Sequence, residues 1–96
     1  MPTPAEQLAS LQLTVYSATW CPDCTRFDNW LKANNIAHKK VLIDKEEGAA
    51  EYLESQTGKR AIPFVKVNDK AWVRGYHKEE PSRFVAEKFV TEALAA

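Results

Sequence analysis

Apolar positions along the chain recur with two different periods, and the switch between them marks out the elements. In "LQLTVYS" (residues 11–17), Leu11, Leu13 and Val15 fall on one face at period two, which predicts a strand lying against a core. In "CPDCTRFDNWLKANN" (21–35), Cys24, Phe27, Trp30, Leu31 and Asn34 recur at three- and four-residue steps. They therefore share one stripe of a helix. Pro22 suits the first helical position, where its missing N–H costs no hydrogen bond. "AHKKVLID" (37–44) contains Val41, Leu42 and Ile43 in a row, which predicts a second strand covered on both faces.

The second half continues the alternation. Asp44 and Glu47 have the spacing of a capping box for a helix over "KEEGAAEYLESQT", and Gly58 is placed to stop it. "IPFVKV" and "KAWVRG" read as two short strands in a hairpin joined at Asn68 and Asp69, residues that tolerate turn conformations. The last segment, "EEPSRFVAEKFVTEALAA", predicts an amphipathic helix with Pro81 near its start and Phe84, Val85, Phe89, Ala93 and Leu94 on its apolar side. The predicted order is β-α-β-α-β-β-α. A strand–helix–strand unit makes its strands parallel and the hairpin is antiparallel, so the fold class is α/β with a mixed sheet and helices on both faces.

Composition narrows the function classes. The 96 residues are 45% apolar and 27% charged, with thirteen positive and thirteen negative side chains. We read residues 1–96 as a single domain, with 1–10 as an N-terminal extension. The balanced charge predicts neither nucleic acid nor an anionic membrane as partner. The start "MPTPAEQLASLQ" lacks the basic and apolar regions of a leader, and no run reaches the roughly 18 apolar residues of a membrane span. A cytoplasmic location is expected.

Only two cysteines occur, Cys21 and Cys24, separated by Pro22 and Asp23. A structural disulfide is disfavoured, because the cytosol is reducing and so short a loop removes little chain entropy. A zinc site would need His38 and His77 as well, yet their spacing does not follow the finger pattern. No metal is expected, and His38 reads as a surface residue. A redox pair remains. Cys21 sits at the strand-to-helix junction, where unpaired N–H groups and the helix dipole stabilise negative charge. Cys24 is one turn on, on the buried stripe. This asymmetry assigns attack to Cys21 and resolution to Cys24, while Trp20 reads equally as cover over the sulfur or as core.

"VYSATWCPDC", "TGKRAIPFVKV" and "WVRGYHKEE", in that order and at these distances, resemble the glutaredoxins and the related NrdH-type redoxins of the thioredoxin-fold superfamily. The likeness spans about residues 11–94 and implies a thioredoxin-like fold and a thiol–disulfide oxidoreductase that acts as a monomer on disulfide-containing protein or small-molecule substrates. It implies a cis Ile62–Pro63 bond beside the active sulfur, with the Ile62 backbone free to pair with an extended substrate. It further implies Lys59 and Arg60 as contacts for a glutathione carboxylate.

The chain departs from the glutaredoxin pattern at Ala18, where a lysine is frequent, at Asp23, where a tyrosine is frequent, and at Arg74-Gly75, where a glycine pair is usual. Gly75, Tyr76 and His77 look more like the loop of NrdH-type proteins, which implies a thioredoxin-reductase-type flavoprotein as electron donor. Asp23 also places a negative charge beside Cys21, opposing a thiolate and repelling an anionic tripeptide. Glutathione is the alternative co-substrate, and no organic cofactor is required. An iron–sulfur or zinc carrier and a noncatalytic binding module are the readings from other classes. The intact second cysteine and Pro22 count against the cluster carrier.

Overall fold

A computed structural model describes residues 2–96. Four strands form one sheet, β1 (Leu13–Ser17), β2 (Lys39–Leu42), β3 (Phe64–Val67) and β4 (Ala71–Arg74), in the order β2-β1-β3-β4. β2 runs parallel to β1, whereas β3 is antiparallel to both β1 and β4. Val15 lies opposite Val65, and Val65 opposite Val73. This register forms a valine row across the sheet, and period-two alternation sends Tyr16, Phe64 and Trp72 to the opposite face.

Four helices cover the two faces: α1 (Pro4–Leu8), α2 (Pro22–Ala33), α3 (Ala49–Thr57) and α4 (Ala86–Ala95). Leu8, Phe27, Leu31, Phe89 and Val90 from α1, α2 and α4 pack with the valine row. Phe27 meets Phe89 edge to face with ring centroids 4.9 Å apart, a geometry aromatic quadrupoles favour. On the other side, Leu53 of α3 packs with Tyr16, Phe64 and Tyr76. The mixed sheet with helices on both faces agrees with the sequence reading.

Several local expectations are corrected. β2 is an edge strand whose Lys39 and Lys40 are exposed and whose Val41 and Leu42 are half-buried, not a strand covered on both faces. Its apolar run reflects one helix-covered face and contacts beyond the strand end. The capping box from Asp44 does not form: α3 begins at Ala49 after Gly48 in a left-handed conformation, without a side-chain cap. The Asp44 carboxylate is used elsewhere, accepting from the Thr19 N–H at 3.3 Å and from the Thr19 hydroxyl. Pro81 sits in a turn, and α4 starts five residues later at Ala86. Arg83, at φ 63, interrupts the helical path between them.

The N-terminal segment is structured over Pro4–Leu8 by a capping box in which Thr3 and Glu6 satisfy each other's backbone groups. Leu8 is 2% exposed. Asn68 and Asp69 both take positive φ in the β3–β4 turn, as their residue types allow.

Candidate active site

Cys21 lies between the end of β1 and the start of α2 and is the N-cap of that helix. Its backbone is extended (φ −100, ψ 111), and Pro22 takes the first helical position. The Cys21 sulfur then does what a serine or aspartate oxygen does at other helix starts. It accepts a hydrogen bond from the Cys24 N–H at 3.1 Å. The Cys21 carbonyl accepts from the Thr25 N–H at 3.1 Å and its hydroxyl at 3.2 Å, which ties the motif to the first turn.

Both cysteines are free thiols. Exposure does not separate them, since Cys21 is 6% and Cys24 4% exposed; the burial expected of Cys24 extends to Cys21 as well. Their electrostatic surroundings do. Burial first, and then the neighbouring Cys21 sulfur, push the Cys24 thiol up to about 12. Cys21 occupies the end of the helix where N–H groups and dipole favour negative charge. Ala18, Ile43 and Ile62 close the apolar wall around the pair.

Trp20, which the sequence left open between cover and core, is 68% exposed. The Thr19–Asp44 hydrogen bonds anchor the loop that carries it to the segment following β2. Ile62 packs against the cysteine cluster, and the Ile62–Pro63 bond is cis. The Ile62 N–H and C=O make no backbone hydrogen bond among the described residues. Pro63 is fully buried, and its carbonyl accepts from the Gly75 N–H at 2.9 Å. Gly75 is required by close approach, because a Cβ there would lie 3.0 Å from Phe27 and 3.1 Å from Pro63.

Other residues singled out in the sequence are engaged differently from expectation. Arg60 donates to Glu54 at 3.0 Å and lies 3.9 Å from Glu51. Lys59 sits over the Phe64 ring at 5.6 Å and has no ion-pair partner among the described residues. Tyr76 is 7% exposed and packs on Phe64, so its ring is part of the core and not of an open loop. His77 is fully buried, and its Nδ1 accepts the Val85 N–H at 2.9 Å, which fastens the start of α4. A polar residue in a charged segment reads as loop from sequence; here its ring lies beside Phe84. His38, expected as a surface residue, is half-buried, with Nδ1 at 2.8 Å from the Ile36 carbonyl and Nε2 at 3.6 Å from Asp28.

Asp23 requires the largest correction. Its carboxylate is not a bare charge beside Cys21, because Arg83 donates from Nε at 3.0 Å and from Nη2 at 2.7 Å, and Arg26 from Nη1 at 2.5 Å. The Arg83 hydrogen bonds, with those of Arg26, hold the Asp23 carboxyl below its ordinary value. Arg26, three residues on, was detectable as a helical ion pair. No local pattern links Asp23 to Arg83, 60 residues away.

Among the described residues, no three His, Cys, Asp or Glu side chains gather as a metal site. No described helix is long and apolar enough to cross a membrane.

The glutaredoxin family model matches residues 13–72. A protein of Mycobacterium tuberculosis assigned to the glutaredoxins is 41% identical over 58 residues, covering 59% of this chain and 69% of the relative. The structure of a glutaredoxin from Archaeoglobus fulgidus superposes with a TM-score of 0.58 at 29% identity, over 76% of this chain and 84% of that one. A buckwheat glutaredoxin in complex with glutathione superposes with a TM-score of 0.52 at 25% identity, over 65% and 59% of the respective chains.

Proposed function

This chain belongs to the glutaredoxin family and is a thiol–disulfide oxidoreductase, and from that footing we propose that it reduces disulfides by a dithiol cycle at Cys21 and Cys24. The hydrogen bond from the Cys24 N–H to the Cys21 sulfur at the helix start carries this reading. The Cys21 thiolate attacks one sulfur of a substrate disulfide, forming a mixed disulfide and releasing the first substrate thiolate, which takes a proton from solvent. Cys24 then gives its proton to solvent as its sulfur attacks the Cys21 sulfur. The second substrate thiolate leaves and is protonated in turn. The substrate gains two electrons and two protons, and the protein holds a Cys21–Cys24 disulfide. The cycle uses no metal or organic cofactor.

The unpaired Ile62 backbone offers one donor and one acceptor to an extended substrate, by strand addition beside the sulfurs. Exposed Trp20, next to Cys21 in the chain, offers an apolar surface to the same substrate. A reducing cytoplasm fits a pair kept in the dithiol form.

For the electron donor the reading is NrdH-like, with a thioredoxin-reductase-type flavoprotein returning two electrons to the disulfide. Arg60 is engaged by Glu54, and Arg74 by Glu79 and Glu92. Buried Tyr76 and His77 offer nothing to a carboxylate. Lys59 remains as the cation beside the cis-proline segment. One observation favours glutathione as the second reading: with Asp23 neutralised by two guanidiniums, the site lacks the negative charge that would repel it. A coupled assay following NADPH consumption tests the choice. Faster turnover with thioredoxin reductase than with glutathione and glutathione reductase is expected. The reverse order replaces the first reading with the second and leaves the dithiol cycle in place.

A further inference from the structure

Asp23 stands between the two cysteines in the first turn of α2, with its side chain 18% exposed. Arg83 reaches it from the loop between β4 and α4 by a two-bond fork, Nε to one oxygen and Nη2 to the other. Such bidentate pairs fix geometry as well as charge. Backbone bonds hold the arginine where it must be: its N–H donates to the Glu80 carbonyl at 3.0 Å, and its carbonyl accepts from the His77 N–H at 2.7 Å. Its φ of 63 is uncommon for a residue with a side chain.

Arg26 adds a second guanidinium to the same carboxylate. One negative and two positive charges make a net positive group next to the Cys21–Cys24 pair. The Arg83 guanidinium is held in its charged form first by Asp23, two residues from Cys21 in the same first turn. Glu79 and Glu80, on the same loop, do not cancel it, since they face Arg74 and Lys88.

We propose that Arg83 is a specificity-determining positioning residue of the dithiol site: by clamping Asp23, a carboxylate that Arg26 also pairs, it makes the charge beside Cys21 net positive and favours thiol-reactive partners that carry a carboxylate. The proposal rests on the reading above that Cys21 is the attacking sulfur. Arg83 need not touch the substrate. It acts through Asp23 and through the field at Cys21, so its removal leaves Asp23 paired with Arg26 alone and the group without net positive charge.

A pair of small reagents of equal reactivity class and different charge tests this directly. The reduced protein is alkylated at low ionic strength with iodoacetate, an anion, and with iodoacetamide, which is neutral, and peptide mass spectrometry locates the label. The native ratio of iodoacetate to iodoacetamide rates at Cys21 is the reference. Arg83→Gln should lower it about threefold, the size of effect a unit charge several ångströms off has in water. Arg83→Lys should preserve most of it, because the charge is kept while the fork is lost. Asp23→Asn alone should raise it, and added to Arg83→Gln it should bring the ratio back toward the native value, because Arg26 is then the one net charge. High salt should compress all these differences. A purely structural role would slow both reagents alike and leave the ratio unmoved, and an unmoved ratio in Arg83→Gln or in Asp23→Asn overturns the proposal. First labelling at Cys24 instead overturns the assignment of the attacking sulfur, and this inference with it.

Discussion

The backbone N–H of Cys24 points at the sulfur of Cys21 and donates to it across 3.1 Å. One residue thus supplies two things: its amide donates to the sulfur proposed to attack, and its own thiol is raised by burial. The proposed division of labour between the cysteines rests on helix-start geometry and not on exposure, in which they barely differ.

Selective labelling should reflect that division. At pH 7 to 8 iodoacetamide should modify Cys21 on the order of tenfold faster than Cys24, because a thiol pushed up to about 12 offers almost no thiolate there. Peptide mapping by mass spectrometry at early times reads the ratio. Equal labelling would contradict the assignment.

Gly75→Ala should destabilise the fold by about 1–3 kcal/mol, the usual cost of overpacking a filled site. The added Cβ would meet two ring carbons of Phe27 and the Pro63 ring at 3.0–3.1 Å, with both rings held by core neighbours. Urea denaturation gives the value, and a change near zero would show that the helix α2 ring can yield.

His77 should make stability depend on pH in the mildly acidic range. Burial first, and then the charge of Arg74, depress its folded pKa. Sign follows from this: the unfolded chain binds the proton more readily, so the stabilisation is fully present above the unfolded value of about 6.5 and is lost as pH falls through the folded value. Urea midpoints should therefore fall as pH drops from about 7 to 5. In His77→Asn, which can still accept from the Val85 N–H, the slope should flatten. Glu79 does not confuse the reading, since Arg74 holds it down at about 2. An unchanged slope in the variant would assign the effect elsewhere.

Leu8→Ala should cost about 2–5 kcal/mol, as for other buried leucines, with the low end expected for a terminal helix that can partly collapse. Leu8 is 2% exposed and packs in the main core. A thermal melt unchanged by the substitution would mean that α1 is only an appendage.

The sheet, α2 and the hairpin were legible because each carries its own period or turn chemistry, as Leu13 and Val15, the Cys24–Phe27–Leu31 stripe, and Asn68–Asp69 do. What escaped depends on partners distant in sequence. Asp44 looks like a cap until Thr19, 25 residues earlier, takes its carboxylate. Pro81 looks like a helix start until Arg83 turns left-handed. The masking of Asp23 and the burial of His77 arise the same way, from a loop folding back across the site. Thr3 and Glu6 did carry a local signal, a capping box, but in a segment short enough to pass for a tail.

Mixed-disulfide trapping tests the proposed cycle most directly. Each single variant, Cys21→Ser and Cys24→Ser, is incubated with a disulfide substrate, and the products are separated without reductant and measured by intact mass. Cys24→Ser should accumulate an adduct between Cys21 and one substrate half, because the resolving sulfur is gone. Cys21→Ser should accumulate none on the same timescale. An adduct on Cys24 in the Cys21→Ser protein, with none on Cys21 in the other, would contradict the mechanism.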